Sequence, residues 1–300
     1  MNWTTKDIPS QQDKIIVITG ANSGLGLEAA KVLSSKGARV IMAVRSLTKG
    51  QDAIVDINKS YPTAQLELMQ LDLSDLESVV AFANEFKQRH ARLDVLINNA
   101  GVMWPPKREV TQQGFETQLG INHLGHFVLT ALLMDVIKVT PNSRIVTQSS
   151  IAHRAVPTIN FDDINWEKSY NKNKAYGQSK LANLLFTYEL DRNLKEHKIN
   201  TKAIACHPGV SNTNLFRTSA NIVGKAIKLI GQKAELGSLP MLRAATDEGL
   251  NGGEFIGPKG FMGLSGYPIE VKSTKTARDK ELAKRFWAVS EELTGTHFSF

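Results

Sequence analysis

Residues 15 to 26 read Ile-Ile-Val-Ile-Thr-Gly-Ala-Asn-Ser-Gly-Leu-Gly, an apolar β-branched run that breaks into glycines and enters a helical pattern. No other stretch constrains the fold so tightly. An uninterrupted apolar strand suits burial on both faces, which is the situation of a parallel sheet. Glycine opens the turn and lets backbone N–H groups approach an anion at the helix N-terminus. Gly20-x-x-x-Gly24-x-Gly26, with Asn22, Ser23 and Leu25 between, therefore reads as a phosphate cradle. An ordinary strand–helix loop would need one glycine. The G-x-G-x-x-G form is matched only weakly, as Gly24-x-Gly26-x-x-Ala29.

The strand–helix alternation continues along the chain. Strands are expected at 15–19, 38–44, 65–71, 93–97, 144–147 and 201–206, with a weaker one near 254–256. Helices are expected at 25–35, around 50–58, at 75–90, before the fifth strand, and at 174–195. In the 75–90 segment, Leu76, Val79, Val80, Ala83 and Phe86 recur at three- and four-residue spacing. The expectation is an α/β fold: a doubly wound, Rossmann-like parallel sheet in three α/β/α layers. Three hundred residues with 42% apolar content can build one large core or two modest ones. No repeat or linker divides them, so a single domain over 1–300 is expected, with ligands beyond the carboxyl ends of the strands.

Charge narrows the function classes. The net charge of +7, from 36 Lys+Arg against 29 Asp+Glu, is scattered without a long like-charge run. It suits an anionic cofactor, and no nucleic-acid partner is expected. The lone cysteine, Cys206, excludes an intrachain disulfide and a cysteine metal cluster, and reads as a small buried side chain at a strand end. Residues 1–14 lack the apolar core of a signal peptide. The most apolar helical segment, 127–137, is short and carries Asp135, so no transmembrane anchor and a cytoplasmic location are expected. Monomer and homo-oligomer both stay open.

The residue ending the second strand should meet the adenosine ribose. An acid there selects NAD; a basic residue favours the 2′-phosphate of NADP. Twenty residues beyond Gly24 stands Val44, followed by Arg45. NADP(H) is therefore expected over NAD(H), unless Arg45 is a plain surface arginine. Tyr176 and Lys180, four apart on a helix, share one face. A free phenol ionises near pH ~10, and a neighbouring ammonium stabilises the phenolate.

These landmarks, in order, resemble the short-chain dehydrogenase/reductase family in its single-domain classical form. They are Thr19-Gly-x-x-x-Gly-x-Gly26, Asn98-Asn99-Ala100-Gly101, Ser149-Ser150, Tyr176-x-x-x-Lys180, and Pro208-Gly209 with Thr213. The resemblance implies Tyr176 as acid/base and Lys180 as the group that lowers its pKa and holds the nicotinamide ribose. It implies Ser150, the second serine of its pair, as hydrogen-bond partner of the substrate oxygen. Asn122 would anchor a water relaying protons to Lys180. Asp72 and Leu73 would face the adenine, Asn99, Ala100 and Gly101 the adenosine side, and Pro208, Gly209, Val210 and Thr213 the nicotinamide side. Read alone, Asn99 and Asn122 could equally be turn or capping amides.

Several details resemble the retinol dehydrogenase-related branch. These are Ala43-Val44-Arg45-Ser46, Asn122-His123-Leu124-Gly125-His126-Phe127, Ser150-x-Ala152-His153 and Ser179-Lys180-Leu181-Ala182-Asn183. The resemblance implies an apolar aldehyde, ketone or alcohol as substrate, with retinol itself in doubt without an apolar anchor. Residues 214–240 fall where the family places a substrate lid. Ile222, Val223, Ala226, Ile227, Leu229 and Ile230 with nearby lysines admit three readings: a lid, a packed helix or subunit contact, or a membrane-surface helix. His123, His126, His153 and His207 match no ligand spacing, so no metal is expected. A catalytically silent NADP-binding regulator on the same fold is the alternative function. Epimerase or dehydratase relatives are a weaker third reading.

Overall fold

The computed structural model describes residues 2–210 and 232–300. Thr213 and the 214–231 part of the expected lid lie outside the described residues. Eight strands form one sheet in the order β3-β2-β1-β4-β5-β6-β7-β8. They are β1 (Ile15–Thr19), β2 (Arg39–Val44), β3 (Gln65–Gln70), β4 (Val95–Asn98), β5 (Ser143–Gln148), β6 (Thr201–Cys206), β7 (Phe255–Pro258) and β8 (Pro268–Glu270). All pairings are parallel except that of β7 with β8. The expected strand near 254–256 does not close the sheet; the short antiparallel β8 lies outside it.

The period of two along β1 explains the layers. Ile16 and Ile18 point to one face, beside Ala29, Ala30 and Leu33 of α1 (Gly24–Ser35). Val17 points to the other, into the cluster that holds Phe82 and Phe86 of α3 (Leu76–Arg89). Every one of these side chains is nearly or wholly buried. Burying a side chain of this size stabilises the fold by about 1.5–3 kcal/mol. A polar residue at Val17 would therefore disrupt one whole layer.

Helix starts follow their caps. α2 (Leu47–Ser60) begins earlier than the periodicity suggests, because the Ser46 hydroxyl accepts from the Lys49 amide at 3.4 Å. The chain then passes through α4 (Thr117–Leu119), a π-helical turn at Gly120–Leu124, α5 (Gly125–Leu132) and α6 (Met134–Lys138). α7 (Lys172–Glu196) starts where Asn171 Oδ1 accepts from the amides of Asn173 and Lys174, both at 3.1 Å. The helix thereby starts two residues ahead of expectation.

α8 (Ala234–Thr246) takes in the end of the expected lid. Its Leu239, Met241 and Leu242 lie in the same core cluster as the α1 alanines, so residues 234–240 are packed on the sheet. α9 (Lys280–Thr294) and an aromatic tail cover the opposite layer, with Trp287 and Phe298 rings 4.5 Å apart. No helix among the described residues is long and apolar enough to cross a membrane.

Candidate active site

A cleft of about 810 Å³ opens at the carboxyl ends of β1 to β6. A doubly wound sheet leaves such a crevice where its crossovers change direction, here between β1 and β4. It gathers Gly20, Asn22, Ser23, Gly24, Leu25, Arg45, Asp72, Leu73, Asn99, Ala100 and Gly101 along one end. Ser150, Tyr176, Lys180, Pro208, Gly209 and Val210 line the other. Gly26 and Asn122 stand behind the wall.

The glycine turn fits a pyrophosphate by what it excludes. Gly20 and Gly24 have φ of +67° and +55°, the left-handed region that favours glycine. A Cβ on Gly26 would stand 2.6 Å from the Gly20 carbonyl oxygen and 2.6 Å from Asn99 Nδ2. The turn is thus closed by side chains that are absent. Ser23, at the N-cap of α1, makes no side-chain cap, whereas Ser46, Asp75 and Asn171 cap their helices. The first amides of α1 are left for an anion facing the cleft.

Thr19 ties this turn to the loop after β4. Its Oγ1 accepts from the amides of Asn99 and Ala100, both at 2.9 Å, and lies 2.8 Å from His126 Nε2. Burial holds the His126 pKa down to about 3, so the ring is neutral. His126 Nδ1 lies 3.1 Å from the Asn122 carbonyl, which can only accept, so the ring proton sits on Nδ1. Nε2 is then an acceptor, and the Thr19 hydroxyl donates to it. At the far side, the Ser74 amide and hydroxyl donate to Asp72 Oδ1 at 2.9 and 2.6 Å.

At the other end, Tyr176 and Lys180 stand one turn apart on α7, with Lys180 Nζ 5.7 Å from the phenol ring centroid. Lys180 Nζ donates to the Gln148 carbonyl at 3.1 Å. Burial acts on the phenol in the direction opposite to the expected lowering. Burial pushes Tyr176 up to about 12, opposed by a hydrogen bond from Ser150. Burial also brings Lys180 down to about 8. Removing the phenolate's water costs more than a lysine engaged with a carbonyl returns. The phenol therefore stays protonated and is ready to donate.

Asn122 lies in the π-helical turn, fully buried. Its Oδ1 accepts from the Val102 amide at 2.8 Å, and its Nδ2 donates to the Val102 carbonyl at 3.0 Å and to Ser179 Oγ at 2.9 Å. It clamps the loop after β4 to the helix that carries Tyr176. His153 does the same for Ser150. Its Nδ1 lies 2.6 Å from the Ser150 carbonyl, so it donates there, and Nε2 accepts from the Thr274 amide at 3.4 Å. His123, by contrast, is a core residue beside Phe127 and Phe286. No metal-binding group of His, Cys, Asp or Glu occurs among the described residues. Cys206 is buried at the end of β6, as expected.

Some lining residues escape a reading of motifs. Trp104 has φ +58° although it precedes Pro105, and its ring meets Tyr176 edge-on at 6.4 Å. Its amide donates to Oε1 of the buried Gln118 at 2.9 Å. Nothing in Val-Met-Trp-Pro-Pro announces left-handed backbone at a tryptophan. Met103, Ile151 and Arg154 also line this end of the cleft.

Fold and cleft together define a nucleotide-binding oxidoreductase of the doubly wound class. The chain belongs to the short chain dehydrogenase family, whose model matches residues 14–221. It is 42% identical over 284 residues to retinol dehydrogenase 12 of Homo sapiens, covering 94% of this chain and 86% of that protein. It is 46% identical over 210 residues to the chloroplastic short-chain dehydrogenase TIC 32 B of Brassica napus, covering 68% and 65% of the two chains. The crystal structure of an uncharacterized protein from Mycobacterium Paratuberculosis superposes with a TM-score of 0.83 at 41% identity, covering 100% of both chains.

Proposed function

We propose that this chain is an NADP(H)-dependent enzyme acting on the carbonyl or alcohol carbon of an apolar substrate, with Tyr176 as acid/base. The observation that carries the reading is one cleft with a glycine cradle at one end and Ser150, Tyr176 and Lys180 at the other. The nicotinamide, when bound, supplies or accepts the hydride. Tyr176 Oη donates its proton to the substrate oxygen in reduction and takes it back in oxidation. The Ser150 hydroxyl donates to the same oxygen as charge develops on it. Lys180 contributes its ammonium beside the phenol, and Asn122 and His153 hold the two loops in register.

Arg45, exposed at the end of β2 and lining the cleft, supports NADP over NAD. Met103, Trp104 and Ile151 supply apolar walls, and similarity to a human retinol dehydrogenase agrees with an apolar alcohol or its carbonyl. A cytoplasmic location and a single domain over the whole chain are part of this reading. A silent regulator gains no support from a site that keeps the serine, tyrosine and lysine together.

Tyr176→Phe tests it. NADPH oxidation with an aliphatic aldehyde should fall by about 10²–10⁴-fold, while NADPH binding, followed by nucleotide fluorescence, persists. Full activity in that variant would remove Tyr176 from the chemistry.

A further inference from the structure

Among the described residues, every arginine but two holds an ion pair, hydrogen bond or ring contact. The two exceptions are Arg45 and Arg154, and both line the same cleft. Arg45 stands at the adenosine end, where the proposed function gives it the 2′-phosphate. Arg154 stands at the substrate end, four residues past Ser150, and has no assigned task.

We propose that Arg154 receives a carboxylate carried by the substrate, so that the substrate class is an apolar aldehyde or ketone with an anionic end. This rests on the proposed function and narrows it. The surroundings favour an anion. Among the described residues, Asp72 is the only carboxylate lining the cleft, and its Oδ1 is engaged by Ser74 at the opposite end. Arg154 is exposed to the cleft, and Met103, Trp104 and Ile151 line the same end, beside the path of an apolar chain. The guanidinium fork matches a carboxylate with two parallel hydrogen bonds.

The backbone beneath Arg154 is fixed. Residues 151–155 form a 3₁₀ turn that packs on α7 at Gly177, where a Cβ would stand 2.9 Å from the Ala152 carbonyl oxygen. His153 ties the turn to Ser150 and Thr274. At about 2 Å of rise per residue, Arg154 is displaced on the order of 8 Å along the turn from Ser150. A carboxylate there is separated from the reacting carbonyl by a chain of several carbons. In the reaction, the carbonyl carbon takes the hydride of the reduced nicotinamide and its oxygen takes the Tyr176 proton. The carboxylate is unchanged.

The experiment compares azelaic semialdehyde, a carboxylate-ended aliphatic aldehyde, with its methyl ester, using NADPH and the full chain. The wild type should prefer the acid in kcat/KM by at least about tenfold, the scale of one charge-assisted hydrogen bond. Arg154→Met should bring the ratio close to one. An ester used as well as the acid, or a ratio that survives in Arg154→Met, would overturn the proposal. If neither aldehyde is reduced, the proposed function fails, and Arg154 is still tested by calorimetry with nonanoate and nonanamide. Tighter nonanoate binding that disappears in Arg154→Met supports the anion site; equal binding of the two by the wild type overturns it.

Discussion

The two ends of the cleft are built by different means. The cradle end is founded on one continuous segment, a strand, three glycines and the first turn of α1, to which Thr19 ties the backbone amides of the loop after β4. The substrate end is joined by buried side chains that bridge separate segments. Asn122 links Val102 to Ser179, Gln118 links Trp104 to Lys172, and His153 links Ser150 to Thr274. Backbone geometry therefore governs the first end and side-chain pairing the second. Substitutions at the cradle should act on nucleotide affinity, and those at the far end on turnover.

Gly26→Val presses hardest on that contrast. The added Cβ starts 2.6 Å from the Gly20 carbonyl oxygen, a backbone atom with no room to retreat. Overpacking costs about 1–3 kcal/mol, and if the strain falls on the cradle, NADPH affinity drops by up to roughly 100-fold. Fluorescence titration would show it. An unchanged dissociation constant would mean that the turn can open without harm and is not a rigid cradle.

Arg45→Ala sharpens the contrast within the cradle end. Losing a charged hydrogen bond costs about 1.5–3 kcal/mol, so NADPH should bind roughly 10- to 100-fold more weakly while NADH is little affected. Equal weakening of both nucleotides would deny Arg45 the 2′-phosphate.

Titration bears on the substrate end alone. Lys180 has its pKa brought down to about 8 by burial, while Tyr176 is raised to about 12 by the same cause. Below about pH 8 the lysine is an ammonium; above it the charge is lost, while the phenol stays protonated. Carbonyl reduction should be level below that value and decline above it, approaching tenfold per pH unit if the ammonium is required. The profile of kcat against pH reads this limb directly. A profile level to pH ~10 would show that the Lys180 charge is dispensable.

How much of this was legible follows from the same division. The ends of β1 match the apolar run of Ile15–Thr19, and every expected cradle residue within the described part lines the cleft or, like Gly26, backs it. Local motifs carry that information because glycines and strand periodicity act on their own neighbours. The burial that raises the Tyr176 pKa is different, since neighbours such as Trp104 come from elsewhere in the chain. So are the three-residue β8, paired by β7 from across a loop, and the left-handed Trp104, kept in place by Gln118. Asn122 was visible as an asparagine of interest, but its bonds to Val102 needed the fold.

The smallest effect is expected from the Gln118–Trp104 clamp, and it tests whether the substrate end is independent of the cradle. Left-handed backbone at a bulky residue costs about 1–3 kcal/mol and persists only where its surroundings impose it. Here the surroundings are Gln118 Oε1 on the Trp104 amide, with Gln118 Nε2 donating to the Lys172 carbonyl at 3.2 Å at the start of α7. Gln118→Leu keeps the volume but leaves the Trp104 amide without that acceptor. Trp104 should relax away from Tyr176, and kcat/KM for an apolar aldehyde should fall by about three- to tenfold, the scale of a lost hydrogen bond. NADPH affinity should stay at the wild-type value, because the hydrogen bonds of Gln118 run to Trp104, Glu116, Tyr170 and Lys172 and to no cradle residue. Parallel losses in turnover and nucleotide affinity would mean that the two ends are mechanically one.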